Sequence, residues 1–477
     1  MRFQRVLLVS PPSSSFLGAV RPPSSLGYIS QALQDKAIEY SGLDMRVNTR
    51  FSSLKKKINE FKPDLVGFSL ITFQYKMSYE LISKVKKLYP NLKTVAGGPH
   101  ITVLREEVLD ECNALDYGIV HEGEETIVEL CQSKLSQNKI KGLIYRENGK
   151  VIYNGDRENL LDLDKISFPK YEKFKVNKYV KEIPINSSRG CPFECIFCPN
   201  KIIAKNYRAR SASHVVDEIE YWYAKGIRIF NFDDDNFTLQ KKRVYEICDE
   251  IEARKLKNLF MRCSNGIRAD KVDRDLLSRM KDVGFKEVCF GVDAGNNRTL
   301  KNIKKNESIE TIERAVKEAC DLGFFVQLFF IIGAPGETEE DIEDSLNFAQ
   351  KYPIHRVYLN NPMPYPGTEL FDIIKENNWF LIDPEDYLND CQEFSLTSVF
   401  DTPELPERKL REIRKRCKKI MKQVTIKAFR REFAKAPLFG TLAGYMTASK
   451  FGEWLIFKNF TFRRLFNLFW YQLALRK

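Results

Sequence analysis

The chain has 477 residues, of which 43% are hydrophobic and 29% charged, and its formal net charge is +12. That length exceeds one ordinary domain and points to about three, and so much apolar sequence excludes a disordered chain. The charge excess is local: residues 406–477 hold 19 Lys and Arg against 4 Asp and Glu, so the rest is near neutral and needs no polyanionic partner.

The opening apolar run Val6–Val9 stops at Pro11 and Pro12 and is too short for a secretory leader. No charge-free apolar stretch of about 18 residues follows, so no helix is expected to span a membrane. Val6–Val9, Leu65–Ser69 and Thr94–Ala96 are short apolar runs closed by Pro, Gly or Ser, the pattern of buried parallel strands. Helical patterns lie between them at Leu26–Asp35, Ser52–Phe61 and Met77–Leu88. The alternation predicts a Rossmann-like, doubly wound α/β domain over residues 1–135. In such sheets ligands sit at the carboxyl ends of the strands, where this chain has Pro11, Pro12, Ser69, Thr72, Gly97, Gly98, Pro99 and His100. The acidic turn with Glu122, Gly123 and Glu124 then opens a helix, where carboxylates complement the amide dipoles. Residues 136–180, irregular and rich in charge, Asn and Pro, are expected to form a linker.

Cys191, Cys195 and Cys198 follow, in the run from Arg189 to Pro199. Three thiols on one short loop suit a cubane iron–sulfur cluster and leave its fourth iron without a protein ligand, open to a small chelating molecule. The plainer alternative is a zinc knuckle, which wants a second Cys or His pair. None is present: Cys112, Cys131, Cys248, Cys263, Cys289, Cys320, Cys391 and Cys417 stand alone. These are expected to be reduced, packed thiols, and thiol usage with an oxygen-sensitive cluster points to the cytoplasm.

From Ile183 strand–helix alternation resumes. Apolar strands are expected just before Cys191 and at Ile227–Phe232, Leu259–Cys263, Glu287–Val292, Phe325–Ile332 and Val357–Leu359. Six βα units predict a partial (β/α)6 TIM-type barrel over residues 181–390, with its site at the strand C-termini. There the chain has Asp233, Asp234 and Asp235, then Ser264, Asn265 and Arg268, then Asp293, then Gly333, Pro335 and Gly336. Tyr207, Arg208, Tyr358 and Tyr365 are candidates to face a substrate.

Residues 391–477 form a basic, helical C-terminal region. Leu410, Ile413, Cys417, Ile420 and Val424 recur at helical spacing with Arg and Lys nearly everywhere else, an amphipathic helix with a narrow apolar seam. Between Phe451 and Tyr471 dense aromatics are broken by Lys458, Arg463 and Arg464. Mid-run charges argue against spanning, whereas Trp and Phe beside Lys and Arg suit an interface. The expected contact is peripheral, at the inner face of the membrane; the alternative is that the aromatics pack on the barrel. Nucleic acid is not an expected partner, because no recognisable RNA module accompanies the charge.

The C-x3-C-x2-C run resembles the signature of the radical S-adenosylmethionine (SAM) superfamily. The resemblance implies a [4Fe-4S] cluster on Cys191, Cys195 and Cys198 whose open iron binds SAM, with one-electron reduction releasing a 5′-deoxyadenosyl radical. The strand-end residues of 183–372 resemble those of family members that carry a cobalamin domain, implying SAM contacts from Asp233, Asp234, Asp235, Ser264, Asn265, Arg268, Asp293, Gly333 and Pro335. Where that group commonly has Glu, this chain has Asp293, which keeps the charge and loses a methylene of reach.

The first domain resembles the cobalamin-binding domain that precedes many radical SAM domains, through Ala96–His100 and the Glu-Gly-Glu-Glu turn. It implies corrinoid contacts from Pro11, Pro12, Ser69, Leu70, Thr72, Gly97, Gly98, Pro99, Glu122, Gly123 and Glu124. The histidine that many cobalamin carriers give to cobalt is missing from Leu43–Arg50, so the lower cobalt face is expected to be open or water-bound. The implied activity is methylation of an unactivated carbon of a small-molecule or lipid substrate, with a flavodoxin or ferredoxin as electron donor. A radical SAM cyclase or rearrangement enzyme of the same layout is the second reading, and an iron–sulfur sensor at the membrane surface the third.

Overall fold

The computed structural model describes residues 1–449 and 452 apart from 13–19, 48–49, 133, 205 and 390–396. Cys391, Phe451 and the aromatic run beyond Gly452 lie outside the described residues.

The first sheet has seven strands. β1 (Arg5–Ser10), β2 (Glu39–Asp44), β3 (Leu65–Ser69), β4 (Lys93–Gly97) and β5 (Tyr117–Ile119) run parallel in the order β2-β1-β3-β4-β5. Helices cover both faces, which is why Leu7, Val9, Val66 and Phe68 are as buried as Val6 and Leu8. The chain order reverses between β1 and β3, and in an open sheet of this order that switch point is where a ligand site opens.

The segment 136–180 differs from the expected irregular linker. Its first part is a hairpin, β6 (Leu143–Glu147) and β7 (Lys150–Tyr153), which adds antiparallel to β5. Asn148 and Gly149 both take positive φ between those strands, the turn an Asn-Gly pair favours. The remainder does join the two domains. Tyr171 and Phe174 plug into the first domain, and a β-carbon on Gly42 would come within 2.7 Å of the Phe174 ring. One hydrophobic core therefore runs from Leu8, Leu26 and Leu33 through Tyr171 and Phe174 to Ile183 and Phe230.

The second sheet is wholly parallel and sequential: β8 (Glu182–Ile185), β11 (Ile229–Phe232), β12 (Phe260–Ile267), β13 (Phe285–Asp293), β14 (Phe325–Ile331) and β15 (Arg356–Asn360). β8 and β15 are its two ends and do not pair, so the six βα units form an unclosed barrel. Between β8 and β11 a short ladder, β9 (Ser188–Arg189) with β10 (Arg208–Ala209), frames the cysteine loop. Helices on this sheet start at side chains that accept a free backbone N–H, among them Ser211, Asp273, Ser308 and Thr338.

The helix Glu407–Glu432 packs along β15 and the helix Glu339–Lys351, covering an edge that would otherwise offer unpaired backbone groups. Its seam is the expected one, with Leu410, Ile413, Cys417, Ile420 and Val424 all buried. Each such side chain contributes roughly 1.5–3 kcal/mol when fully buried. His355 reaches Glu432 at 3.1 Å, and Arg431 donates to the carbonyls of Pro353 and Ile354 at 2.6 and 2.9 Å. Among the described residues no helix is long and apolar enough to cross a membrane.

Candidate functional site

The carboxyl ends of β3 and β4, with Leu8 of β1, face β9 and Gly190 at the start of the cysteine loop across a cavity of about 380 Å³, and none of Cys191, Cys195 and Cys198 lines it. The volume is within the size range of small-molecule sites. One wall carries Ser69, Gly97, Gly98, Pro99 and the Glu122-Gly123-Glu124 turn; the other carries Ser188, Arg189, Gly190, Asp233 and Asp235. Seven of the residues implied for a corrinoid thus line it. Pro11, Pro12, Leu70 and Thr72 do not: Leu70 is fully buried, its N–H donating to the Gly97 carbonyl at 2.8 Å. The two glycines serve different ends. Gly98 has φ 114°, and a β-carbon there would sit 2.5 Å from the Leu70 carbonyl oxygen. On Gly97 a β-carbon would meet nothing nearer than 3.7 Å, so this glycine leaves room along the wall for a bound group.

Cys191, Cys195 and Cys198 are free and half-buried. Burial pushes the thiols up, Cys195 to about 12 and Cys198 to about 11, while the Lys305 and Arg268 cations pull Cys195 back. Such a donor set suits a metal cluster whose positive charge stabilises the buried thiolates. Among the described residues, no three His, Cys, Asp or Glu side chains, the loop thiols included, are drawn together in the manner of a metal-ion site. The other described cysteines are buried or half-buried thiols apart from the loop.

The acidic triplet holds this loop in shape. Asp234 is buried and accepts from Ser187 Oγ at 2.7 Å and from the Ser188 N–H. Asp235 accepts from the Gly190 N–H at 3.1 Å, and Arg21 of the first domain pairs with Asp233 at 2.9 Å. Gly190 has φ 89°, and a β-carbon there would stand 2.7 Å from the Ala204 carbonyl. Only Asp233 and Asp235 of the triplet reach the cavity.

The other residues implied for SAM lie outside the cavity lining. Ser264 donates to Asn231 at 2.6 Å, and Asn265 to the Asp234 carbonyl at 3.1 Å. Arg268 is buried over the Phe193 ring of the cysteine loop at 3.6 Å, with Asp270 at 2.9 Å and the carbonyls of Lys305 and Asn306 at 2.8 and 2.9 Å. Asp293 pairs with buried Lys305 at 2.6 Å, and Glu307 stands 3.6 Å from the same ammonium. Gly333 donates its N–H to Glu337 at 2.6 Å, and Pro335 sits in the same turn. Among the substrate candidates, Arg208 turns to Glu122, Tyr358 stacks on Phe329 at 5.0 Å, and Tyr365 meets Phe73 edge-on at 5.3 Å. Tyr207 is half-buried and does not line the cavity.

Glu337 is fully buried, and burial pushes its carboxyl up to about 7 against the pull of the Gly333 and Ala334 N–H groups. The folded state therefore holds a proton that the unfolded chain releases at lower pH, so stability falls as pH rises through that value. The wild-type melting temperature is expected to decline between about pH 5 and pH 8, and Glu337→Gln to flatten that slope. Parallel curves for the two proteins would show that Glu337 does not titrate there.

Arg189, Lys305, Arg21 and Glu337 were not singled out by sequence reasoning. Arg189 could have been found from its place two residues before Cys191; for the others the sequence carries no local signal.

Two family models match the chain: the radical SAM superfamily over residues 185–349 and a B12 binding domain over residues 17–131. An uncharacterized methyltransferase of Pyrococcus horikoshii is 32% identical over 398 residues, covering 80% of this chain and 85% of that protein. An anaerobic magnesium-protoporphyrin IX monomethyl ester cyclase of Cereibacter sphaeroides is 27% identical over 74% of this chain, which spans 60% of the cyclase. Among solved structures, the radical SAM methyltransferase TsrM from Kitasatospora setae, with cobalamin and a [4Fe-4S] cluster bound, superposes with a TM-score of 0.68 at 19% identity. That alignment covers 78% of this chain and 75% of TsrM and expresses a shared fold.

Proposed function

The chain belongs to the radical SAM superfamily, in the group whose radical domain follows a B12-binding domain, and from that premise we propose that it methylates an unactivated carbon. Its cofactors are a [4Fe-4S] cluster, SAM and cobalamin. The observation that carries the reading is the shared cavity, with the small residues of the first sheet on one side and Ser188, Arg189 and Gly190, which lead into the cysteine loop, on the other. Relatives point the same way, since the matched Pyrococcus horikoshii protein is named an uncharacterized methyltransferase.

When bound, cluster and SAM supply a carbon-centred radical and the corrinoid carries the methyl group. The chain's own residues bind, orient and exclude water. Cys191, Cys195 and Cys198 would hold the cluster. Asp233 and Asp235 face the cavity and would accept from the SAM ammonium with the oxygens left over from Arg21 and the Gly190 N–H. Ser69, Gly97, Gly98, Pro99 and Gly123 would line the corrinoid. Leu8, Phe68, Ile29 and Ile127 make the remaining wall apolar, which keeps water from a reactive intermediate. The substrate is a small molecule or lipid, and a flavodoxin- or ferredoxin-type donor would supply the electron.

The test uses anaerobically reconstituted enzyme, methyl-labelled SAM and a metabolite and lipid extract. Label reaching the bound corrinoid and then an extract component supports methylation. Deoxyadenosine release with label confined to SAM would replace it with the ring-closing reading, to which the cyclase match belongs. If neither occurs, both enzyme readings fall and a cluster sensor remains.

The membrane contact is also proposed here, on the helix Pro437–Thr447. Gly440 and Gly444 let it close on the helix Glu407–Glu432, with their added β-carbons 2.8 Å from the Phe429 carbonyl and 2.9 Å from the Ile426 Cα. Its other face leaves Leu438 (86% exposed), Leu442 (69%) and Phe439 in water, beside a strongly basic helix. Apolar residues next to cations suit an anionic lipid surface. The protein is expected to float with anionic vesicles and Leu438→Ser/Leu442→Ser to remain below; equal recovery of both would dismiss the contact.

A further inference from the structure

We propose that Glu122 and Glu124 are positioning residues for the cluster loop, so that the B12-binding domain holds in shape the loop that carries Cys191, Cys195 and Cys198. The inference rests on the reading of those thiols as a cluster site.

In the ladder that frames the loop, Arg189 of β9 stands directly opposite Arg208 of β10. Like charges facing one another across a ladder are destabilising, and here both are largely buried, with side chains 17% and 5% exposed. The counter-charge comes from the other domain. Glu122 accepts from Arg208 with both oxygens and lies 3.3 Å from Arg189, which donates to Glu124 at 2.7 Å. The Arg189 guanidinium also lies over the ring of Tyr28, a first-domain residue, at 4.8 Å. Burial alone would push Glu122 up, yet the two arginines outweigh it and hold the carboxyl below its ordinary value.

Arg189 is two residues from Cys191, and the Cys191 N–H donates to the Ala204 carbonyl at 3.2 Å, so the ladder and the thiol loop share one backbone frame. Removing the carboxylates leaves two buried cations face to face, which forces the strands apart. That movement reaches the first cluster ligand directly. The carboxylates border the cavity, but their oxygens accept from arginines rather than standing free as acceptors for a corrinoid.

The experiment compares wild type with Glu122→Gln/Glu124→Gln, both reconstituted anaerobically. It follows the rate at which a ferrous chelator strips iron, and the affinity for hydroxocobalamin by absorbance titration. Groups bonded directly to metal ligands are worth about 10- to 100-fold in metal affinity; these carboxylates act one step further out, through Arg189, so iron loss is expected to quicken by up to about tenfold, with corrinoid affinity within about twofold. An unchanged rate of iron loss overturns the inference. So does a corrinoid affinity that falls as far as the cluster weakens, because the carboxylates would then serve the corrinoid. If the double variant does not fold, Glu122→Gln, which removes the carboxylate shared by the two arginines, is judged by the same two measurements. Failure of the wild type to take up iron and sulfide would instead sink the cluster reading itself.

Discussion

Cys195→Ala is expected to abolish iron retention and reduce turnover by at least about 1000-fold, equivalent to about 4 kcal/mol of barrier. A cubane already short of one protein ligand cannot lose a second and keep one defined open iron. The thiol also lies on a loop with little freedom to recruit a substitute. Gly190 is locked at φ 89°, the Cys198 N–H donates to the Cys195 carbonyl at 3.1 Å, and the Ile196 N–H to the Ile303 carbonyl at 3.1 Å. Iron and sulfide content after reconstitution, with the reduced-state paramagnetic signal, checks this. Cys289→Ala is the control, since that thiol is fully buried in β13 and its loss should cost only packing. Equal iron in the two variants would refute the assignment of Cys195.

Lys305→Met should destabilise the fold by about 3–5 kcal/mol, because breaking a buried ion pair strands its partner in a low-dielectric interior. The stranded partner is Asp293, since Glu307 keeps Arg268 at 3.7 Å and the Asp270 N–H at 3.0 Å. Asp293 and Glu307 stand 2.6 and 3.6 Å from the ammonium, and both carboxylates are buried. Asp293 is further held at φ 65°, a conformation a residue with a β-carbon adopts only under constraint. Replacing both members of the closer pair, Lys305→Met/Asp293→Asn, which removes the charge and keeps a residue type that tolerates positive φ, should recover a large part of the loss. Urea unfolding of the two variants and wild type gives the comparison. A double variant no more stable than Lys305→Met would show that the pair is not what the interior requires. The ammonium also lowers the Cys195 thiol, so the single variant is expected to load less iron.

Much of the fold could be read from local pattern. The apolar runs of β1, β3 and β4 end in Ser or Gly because each strand is buried on both faces and turns at a site-bearing loop. β2, with the sequence Glu39-Tyr-Ser-Gly-Leu-Asp44, escaped because an edge strand needs no unbroken apolar run. The β6–β7 hairpin was read as linker although Asn148-Gly149 announces it. The seam of the helix Glu407–Glu432 was legible, but its partner was not: the same stripe would serve a membrane or a barrel edge, and β15 takes it.

The site divides along the same line. By itself the sequence singled out the three closely spaced thiols proposed for the cluster, the two-domain order and the small residues at the strand ends, because spacing, periodicity and glycine turns act over a few residues. Only the tertiary structure decided which polar groups face the cavity and which brace it. Asp234 braces Ser187 and Ser188, Glu122 bridges Arg189 and Arg208, and Arg268 lies over Phe193. A buried charge must find its counterpart wherever packing brings one, and those counterparts lie tens of residues away on another strand or in another domain.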